Sequence, residues 1–219
     1  MKFENEGAQR YFDQIPDEWD ALYSHENWLM YRINRLLRPG IYERYAFTFE
    51  RCQPIEGATV LDIGCGTGRF AIEFAKRGAR HVVGIDFAPA MIDFSRMVAQ
   101  RMGVADRCEF ICNDVVSYPF ETEFDIVVAL GFFDYVPHAE PVFRKVAALR
   151  PQHFVASFPV HTFLWGIQRH IRYRWIRRVP IFYYTRGQLE GFLQSAGFLR
   201  YDIVARPHAL LLHASCRER

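Results

Sequence analysis

Five short apolar runs, at residues 59–63, 81–85, 109–112, 124–130 and 154–158, recur along the chain without the polar alternation of a half-wet sheet. A strand apolar on both sides must be covered on both sides, which is the condition of a parallel sheet held between two helical layers. The intervening segments meet that demand. Residues 68–77, 88–102 and 139–149 place apolar side chains at helical spacing, and Gly78 and Gly103 stop the first two. Thr185 with Gln188 forms a capping box that opens a helix over 185–196, which Gly197 closes, and strands are expected at 200–204 and 209–214. The expected fold is α/β, a doubly wound and mostly parallel sheet occupying residues 53–219. Residues 1–52 read as an N-terminal helical cap, with helices near 17–23, 28–37 and 40–52 and a break at Pro39-Gly40. Residues 159–184 read as a lid insertion.

The most informative local segment is VLDIGCGTGRF, residues 60–70. A strand runs into Asp62 and then into a turn with Gly64, Cys65, Gly66 and Gly68 before a helix begins. Glycines accept positive φ and let a ligand approach the backbone, and a helix start offers free N–H groups. The turn lacks the G-x-x-x-x-G-K-[ST] of a phosphate loop, and it reads G-x-G-x-G where a dinucleotide fold prefers G-x-G-x-x-G. Asp62 at its entrance would repel a pyrophosphate and attract a sulfonium or ammonium. The sign of that charge favours a cationic ligand.

Two further carboxylates fall at strand ends. Asp86, in GIDFAPAMI, can accept both hydroxyls of a ribose, and Asp114, in CNDV, can accept from an adenine amino group with the Val115 N–H beside it. Phe87, Met91, Asn113 and Leu130 complete the candidate cofactor lining. In an open parallel sheet such groups converge at the carboxyl ends of the strands.

With VLDIGCGTG (60–68), GIDFAPAMI (84–92), NDV (113–115) and FDIVVALGFFDYV (124–136), the chain resembles the class I S-adenosylmethionine-dependent methyltransferases. The resemblance runs from about Gly57 to the C-terminus. It implies a Rossmann-like methyltransferase fold whose seven-stranded sheet ends in a reversed strand, with S-adenosyl-L-methionine as cofactor. It also implies that the Gly64–Gly68 loop holds the methionine part, Asp86 the ribose and Asp114 the adenine.

Methyl transfer from a sulfonium is an in-line displacement in which alignment can supply up to about 7–11 kcal/mol. A general base is optional and adds about 10²–10⁴-fold. Candidates follow the fourth and fifth strands: Asp134, Tyr135 and His138 in GFFDYVPH, and His161 in SFPVHTF. Either histidine could instead be a plain surface residue, His138 at a helix start and His161 in a loop. The [DN]-P-P-[YF] signature of enzymes that methylate nucleobase amino groups is absent, so no DNA partner is expected.

Within the insertion, Leu164, Ile167, Ile171 and Trp175 fall on one helical stripe, with Arg169, Arg172, Arg174, Arg177 and Arg178 around it. Three readings stand: a packed lid with solvated arginines, a lid whose arginines bind an anionic acceptor, and a helix (163–178) lying on an anionic membrane surface. This part distantly resembles magnesium-protoporphyrin O-methyltransferases, whose acceptor is a large flat carboxylate. The acceptor expected is a small or lipid-like molecule, an anionic one included. Docking on RNA or protein through the arginines ranks second, and a cofactor-binding module without turnover third.

Composition narrows the classes. A formal charge of +2 implies no polyanion partner by itself. Five scattered cysteines (Cys52, Cys65, Cys108, Cys112, Cys216) suggest neither a disulfide framework nor a metal site. The N-terminal segment has no apolar signal core, and no run is long enough to span a bilayer, so a cytoplasmic protein, with peripheral membrane contact as an option, is expected. Oligomeric state is not legible.

Overall fold

The computed structural model describes residues 39–160 and 180–217. The cap helices expected at 17–23 and 28–37, and most of the lid with its arginine stripe and His161, lie outside them.

The chain opens with helix α1 (Pro39–Arg51) and continues as β1 (Thr59–Ile63), α2 (Arg69–Lys76), β2 (His81–Asp86), α3 (Pro89–Arg101) and β3 (Cys108–Cys112). Then come β4 (Ile126–Ala129), a 3₁₀ turn (Phe133–Tyr135), α4 (Glu140–Ala148) and β5 (His153–Pro159). Helix α5 (Arg186–Ala196), β6 (Arg200–Ala205) and β7 (Ala209–Ser215) end it. The strands form one seven-stranded sheet in the order β3-β2-β1-β4-β5-β7-β6. All neighbours pair parallel except β7, which runs antiparallel to both β5 and β6. The expected doubly wound sheet with a reversed last strand is therefore the architecture observed.

Successive strand side chains feed opposite layers, as the pleat requires. Leu61, Ile63, Val83, Ile85, Val127 and Phe154 face the core built with α4 and α5. Val60, Val82, Ile126, Val128 and Val155 face the core built with α1, α2 and α3. Phe143 of α4 is fully buried among Phe133, Phe154, Phe158 and Phe192; burying one such ring is worth about 1.5–3 kcal/mol. Helix α1 packs as part of this domain: Phe49 stacks on Phe70 and lies tilted against Phe74, and Phe47 and Cys52 share their core. The Pro39-Gly40 pair that was read as a break stands at the start of this helix, where proline is tolerated.

Two expectations about element bounds shift. The fourth strand is shorter than 124–130, because the Asp125 carboxylate turns aside to accept the Thr59 N–H at 3.0 Å and its hydroxyl at 2.9 Å. At its other end Gly131 takes φ +75° and leaves the sheet. Of the expected insertion, Pro159 belongs to β5, and the described residues from 180 return over the 3₁₀ turn. There the Phe182 N–H donates to the Asp134 carbonyl and the Tyr184 hydroxyl to the Val136 carbonyl. Among the described residues no helix is long and apolar enough to cross a membrane.

Candidate active site

Strand order reverses between β1 and β4, and the ends of these two strands meet. A Cβ built on Gly64, the first residue after β1, would lie 2.6 Å from the Phe132 ring that follows β4. The crevice expected of an open α/β sheet opens at such a reversal.

The glycine turn is positioned by β2. The Gly64 and Cys65 N–H groups both donate to the Ile85 carbonyl, at 2.8 and 3.2 Å. Gly64, Gly66 and Gly68 all have positive φ, of +66°, +53° and +75°. The reasons for glycine differ at the last two. At Gly68 an added Cβ would collide with Ser95 at 2.8 Å and the Phe110 ring at 3.0 Å, so closeness of α2 to its neighbours demands it. At Gly66 an added Cβ would meet nothing within 4 Å, so the turn shows bare backbone to open space.

Asp62 is buried, and its Oδ2 accepts the Ala71 N–H of the first turn of α2 at 3.1 Å. It thus ties the turn to the helix. Burial, with Asp86 adding to it against the Ala71 hydrogen bond, pushes its carboxyl up to about 7. Asp86 braces both sides of the crevice floor, accepting the Gly66 N–H on Oδ2 at 2.9 Å and the Ala88 N–H on Oδ1 at 3.0 Å. Cys65 is buried inside the turn, with its sulfur 3.0 Å from where a Gly84 Cβ would stand. Desolvation, with Asp86 and Asp62 adding to it, holds the thiol well above its ordinary range.

The Asp86 carbonyl accepts the Asn113 N–H at 3.0 Å, which sets Asp114 next to the end of β2. Oδ1 of Asp114 accepts the Val116 N–H at 3.1 Å. Its Oδ2 is buried and has no hydrogen-bond partner among the described residues. An acceptor left in that state costs about 1–3 kcal/mol, more if charged, unless a ligand supplies the donor. Val115 is buried, Asn113 is exposed with its side-chain oxygen accepting the Asp114 N–H, and Phe87 and Leu130 are half-buried. Met91 is fully buried in α3.

A family model described as "Methyltransferase domain" matches residues 60–152. Over this stretch the chain is similar to S-adenosylmethionine-dependent methyltransferases, and its seven-stranded sheet has their Rossmann-like fold. Sterol 4-C-methyltransferase strm-1 of Caenorhabditis elegans is 31% identical over 98 residues, 44% of this chain and 29% of that protein. The ribosomal protein L11 methyltransferase of Enterobacter sp. (strain 638) is 47% identical over 76 residues, 34% of this chain and 25% of its own length. The chain thus spans under a third of these curated methyltransferases. Among solved structures, magnesium protoporphyrin IX methyltransferase from Synechocystis PCC 6803, with S-adenosylhomocysteine bound, superposes with a TM-score of 0.72. It is 20% identical, and the alignment covers 95% of this chain and 97% of that one, a likeness of fold.

Beyond β4, Asp134 is buried in the 3₁₀ turn and Tyr135 is half-buried beside it. His138 is exposed, two residues before α4. The sequence reading missed Arg44, Gly131 and Phe132, which line the β4 side. Gly131 could have been found, since a glycine ending an apolar strand marks a close approach. Nothing in the helical periodicity of α1 distinguishes Arg44.

Proposed function

We propose that the chain transfers a methyl group from S-adenosylmethionine to a small or lipid-like acceptor, with an anionic one favoured. The observation that carries the cofactor reading is the buried Oδ2 of Asp114, without a partner among the described residues, on the same edge as the open backbone at Gly66. An adenosine would supply an amino donor to that oxygen. Its ribose hydroxyls would fall to Asp86, and the bare turn would take the amino-acid end. When bound, the cofactor supplies a methyl group on a sulfonium, open to in-line displacement.

The protein's part is to bind, orient and exclude water, with Phe132 set against the glycine turn. Asp134 and Tyr135 are the candidates to meet an acceptor, and Asp86 would supply the negative field a sulfonium needs. The fold likeness to a porphyrin methyltransferase and the partial sequence likeness to a sterol methyltransferase support a compact organic acceptor.

Calorimetric titration with S-adenosylmethionine and S-adenosylhomocysteine is the test. Binding of both by folded protein is expected, and failure of both removes the proposal. The likeness to ribosomal protein L11 methyltransferases favours a protein acceptor as the second reading. Transfer of labelled methyl into small-molecule rather than protein fractions of an extract decides between them.

A further inference from the structure

The loop after β4 brings an aromatic ring to the glycine turn. Gly131 takes φ +75°, and its N–H donates to the Ser157 hydroxyl of β5 at 2.9 Å. The Phe132 carbonyl accepts the Tyr135 N–H of the 3₁₀ turn at 3.1 Å. The backbone is therefore held on both sides of the Phe132 side chain, and its direction is set before any ligand arrives.

That direction is across the edge of the sheet. From the place where a Gly64 side chain would begin, Phe132 Cδ2 lies at 2.6 Å, Cβ at 3.1 Å and Cγ at 3.2 Å. The contact is made by the root and one edge of the ring, so the outer carbons extend past Gly64. Phe133 beside it is fully buried, whereas Phe132 is half-buried. The two rings meet edge to face, with centroids 5.2 Å apart and planes at 76°.

Strand order turns this contact into a position along a ligand. Neighbouring strands lie about 4.8 Å apart, and the edge runs β3, β2, β1, β4. With its base at Asp114 after β3 and its ribose at Asp86 on β2, an adenosine puts its sulfur-bearing arm at the end of β1, on the glycine turn. The next strand end is that of β4, where Phe132 stands. The acids lie on the other side and are already engaged, Asp62 with the Ala71 N–H and Asp86 with the Gly66 and Ala88 N–H groups. An aromatic face carries negative potential and attracts a cation without ionising.

We infer that Phe132 is a charge-recognising residue of the crevice, whose ring borders the sulfonium and binds the methyl donor in preference to the neutral product. The inference rests on the methyltransferase reading. On transfer the bond from sulfur to methyl breaks, its electron pair stays on sulfur, and the positive charge is lost. The attraction to the ring goes with it, while the apolar contact remains.

Calorimetry with S-adenosylmethionine and S-adenosylhomocysteine on two altered proteins separates charge from packing. Phe132→Leu keeps apolar bulk and removes the aromatic face. It is expected to bind S-adenosylmethionine about 5- to 30-fold more weakly and S-adenosylhomocysteine less than about twofold more weakly. A trifluorinated phenylalanine at position 132 keeps the ring and draws charge from its face. It should shift in the same direction, again for S-adenosylmethionine alone. Unchanged affinities in both proteins, or equal weakening of the two nucleosides, overturn the inference and leave Phe132 a packing residue. If Phe132→Leu does not unfold cooperatively, the fluorinated protein decides. Wild type that binds neither nucleoside fails earlier, and removes the methyltransferase reading with it.

Discussion

Replacing Asp114 by asparagine tests the cofactor site at its most informative atom. The wild-type carboxylate uses Oδ1 for the Val116 N–H and leaves Oδ2 buried without a donor among the described residues. Asparagine can keep the first bond through its carbonyl oxygen, and then its amide nitrogen occupies the place of Oδ2. Because Oδ2 has no partner to lose, the free protein should change in stability by less than about 1 kcal/mol. Binding should change far more. A charge-assisted hydrogen bond worth about 1.5–3 kcal/mol is lost and donor faces donor, which weakens S-adenosylhomocysteine roughly 10- to 150-fold. A base swap sharpens the test. S-inosylhomocysteine carries a carbonyl where adenine has its amino group, so wild type should reject it and Asp114→Asn should reduce or reverse that rejection. Calorimetry on both proteins with both nucleosides, alongside urea unfolding, gives all four affinities and both stabilities. Equal affinity of the two proteins for S-adenosylhomocysteine, with the same base preference, refutes the assignment of adenine to Asp114.

Gly68→Ala combines a left-handed backbone with contacts of 2.8 Å to Ser95 and 3.0 Å to Phe110. It should destabilise the domain by about 2–4 kcal/mol in urea unfolding, the sum of strain and overpacking. A loss under 1 kcal/mol would mean the turn relaxes freely. Acid sensitivity should trace in part to His213, whose ring shares a 3.0 Å contact with His153. Burial first, then His153 and Arg51, lower it to about 4. A histidine depressed in the fold stabilises fully above its ordinary 6.5, and that contribution fades as pH falls toward 4, on the order of 2–3 kcal/mol in all. Melting temperature followed from pH 7 to pH 4.5 should drop less steeply in His213→Leu than in wild type, and parallel curves would assign the drop elsewhere.

What could be read in the sequence follows physical range. Strand β1 was legible to the residue because all five of its side chains are buried, leaving an apolar signal broken only by Thr59 and Asp62. The Thr185–Gln188 box was legible because its chemistry is complete within four residues, and both of its bonds are made. The ends of β4 were not, since Phe124 and Asp125 look as strand-like as their neighbours until Thr59, 66 residues away, claims the Asp125 side chain. Asp62 shows the same limit. Its sign and its place beside the turn were readable, but its engagement with Ala71 depends on how the helix start folds back over the strand. Arg44 depends on a helix and a strand end some 87 residues apart in sequence meeting at Gly131, and no local pattern encodes that.

The buried thiol of Cys65 bears on what the crevice can safely contain. A methyl sulfonium is an electrophile, and cysteine becomes its natural victim only as thiolate. Two acidic neighbours and a dry setting keep this sulfur protonated, and its position against Gly84 turns it beneath the turn rather than over it. In a crevice that holds the proposed sulfonium, the negative charge that attracts the donor would also disarm the Cys65 thiol, so the electrostatics of the site would themselves limit self-alkylation.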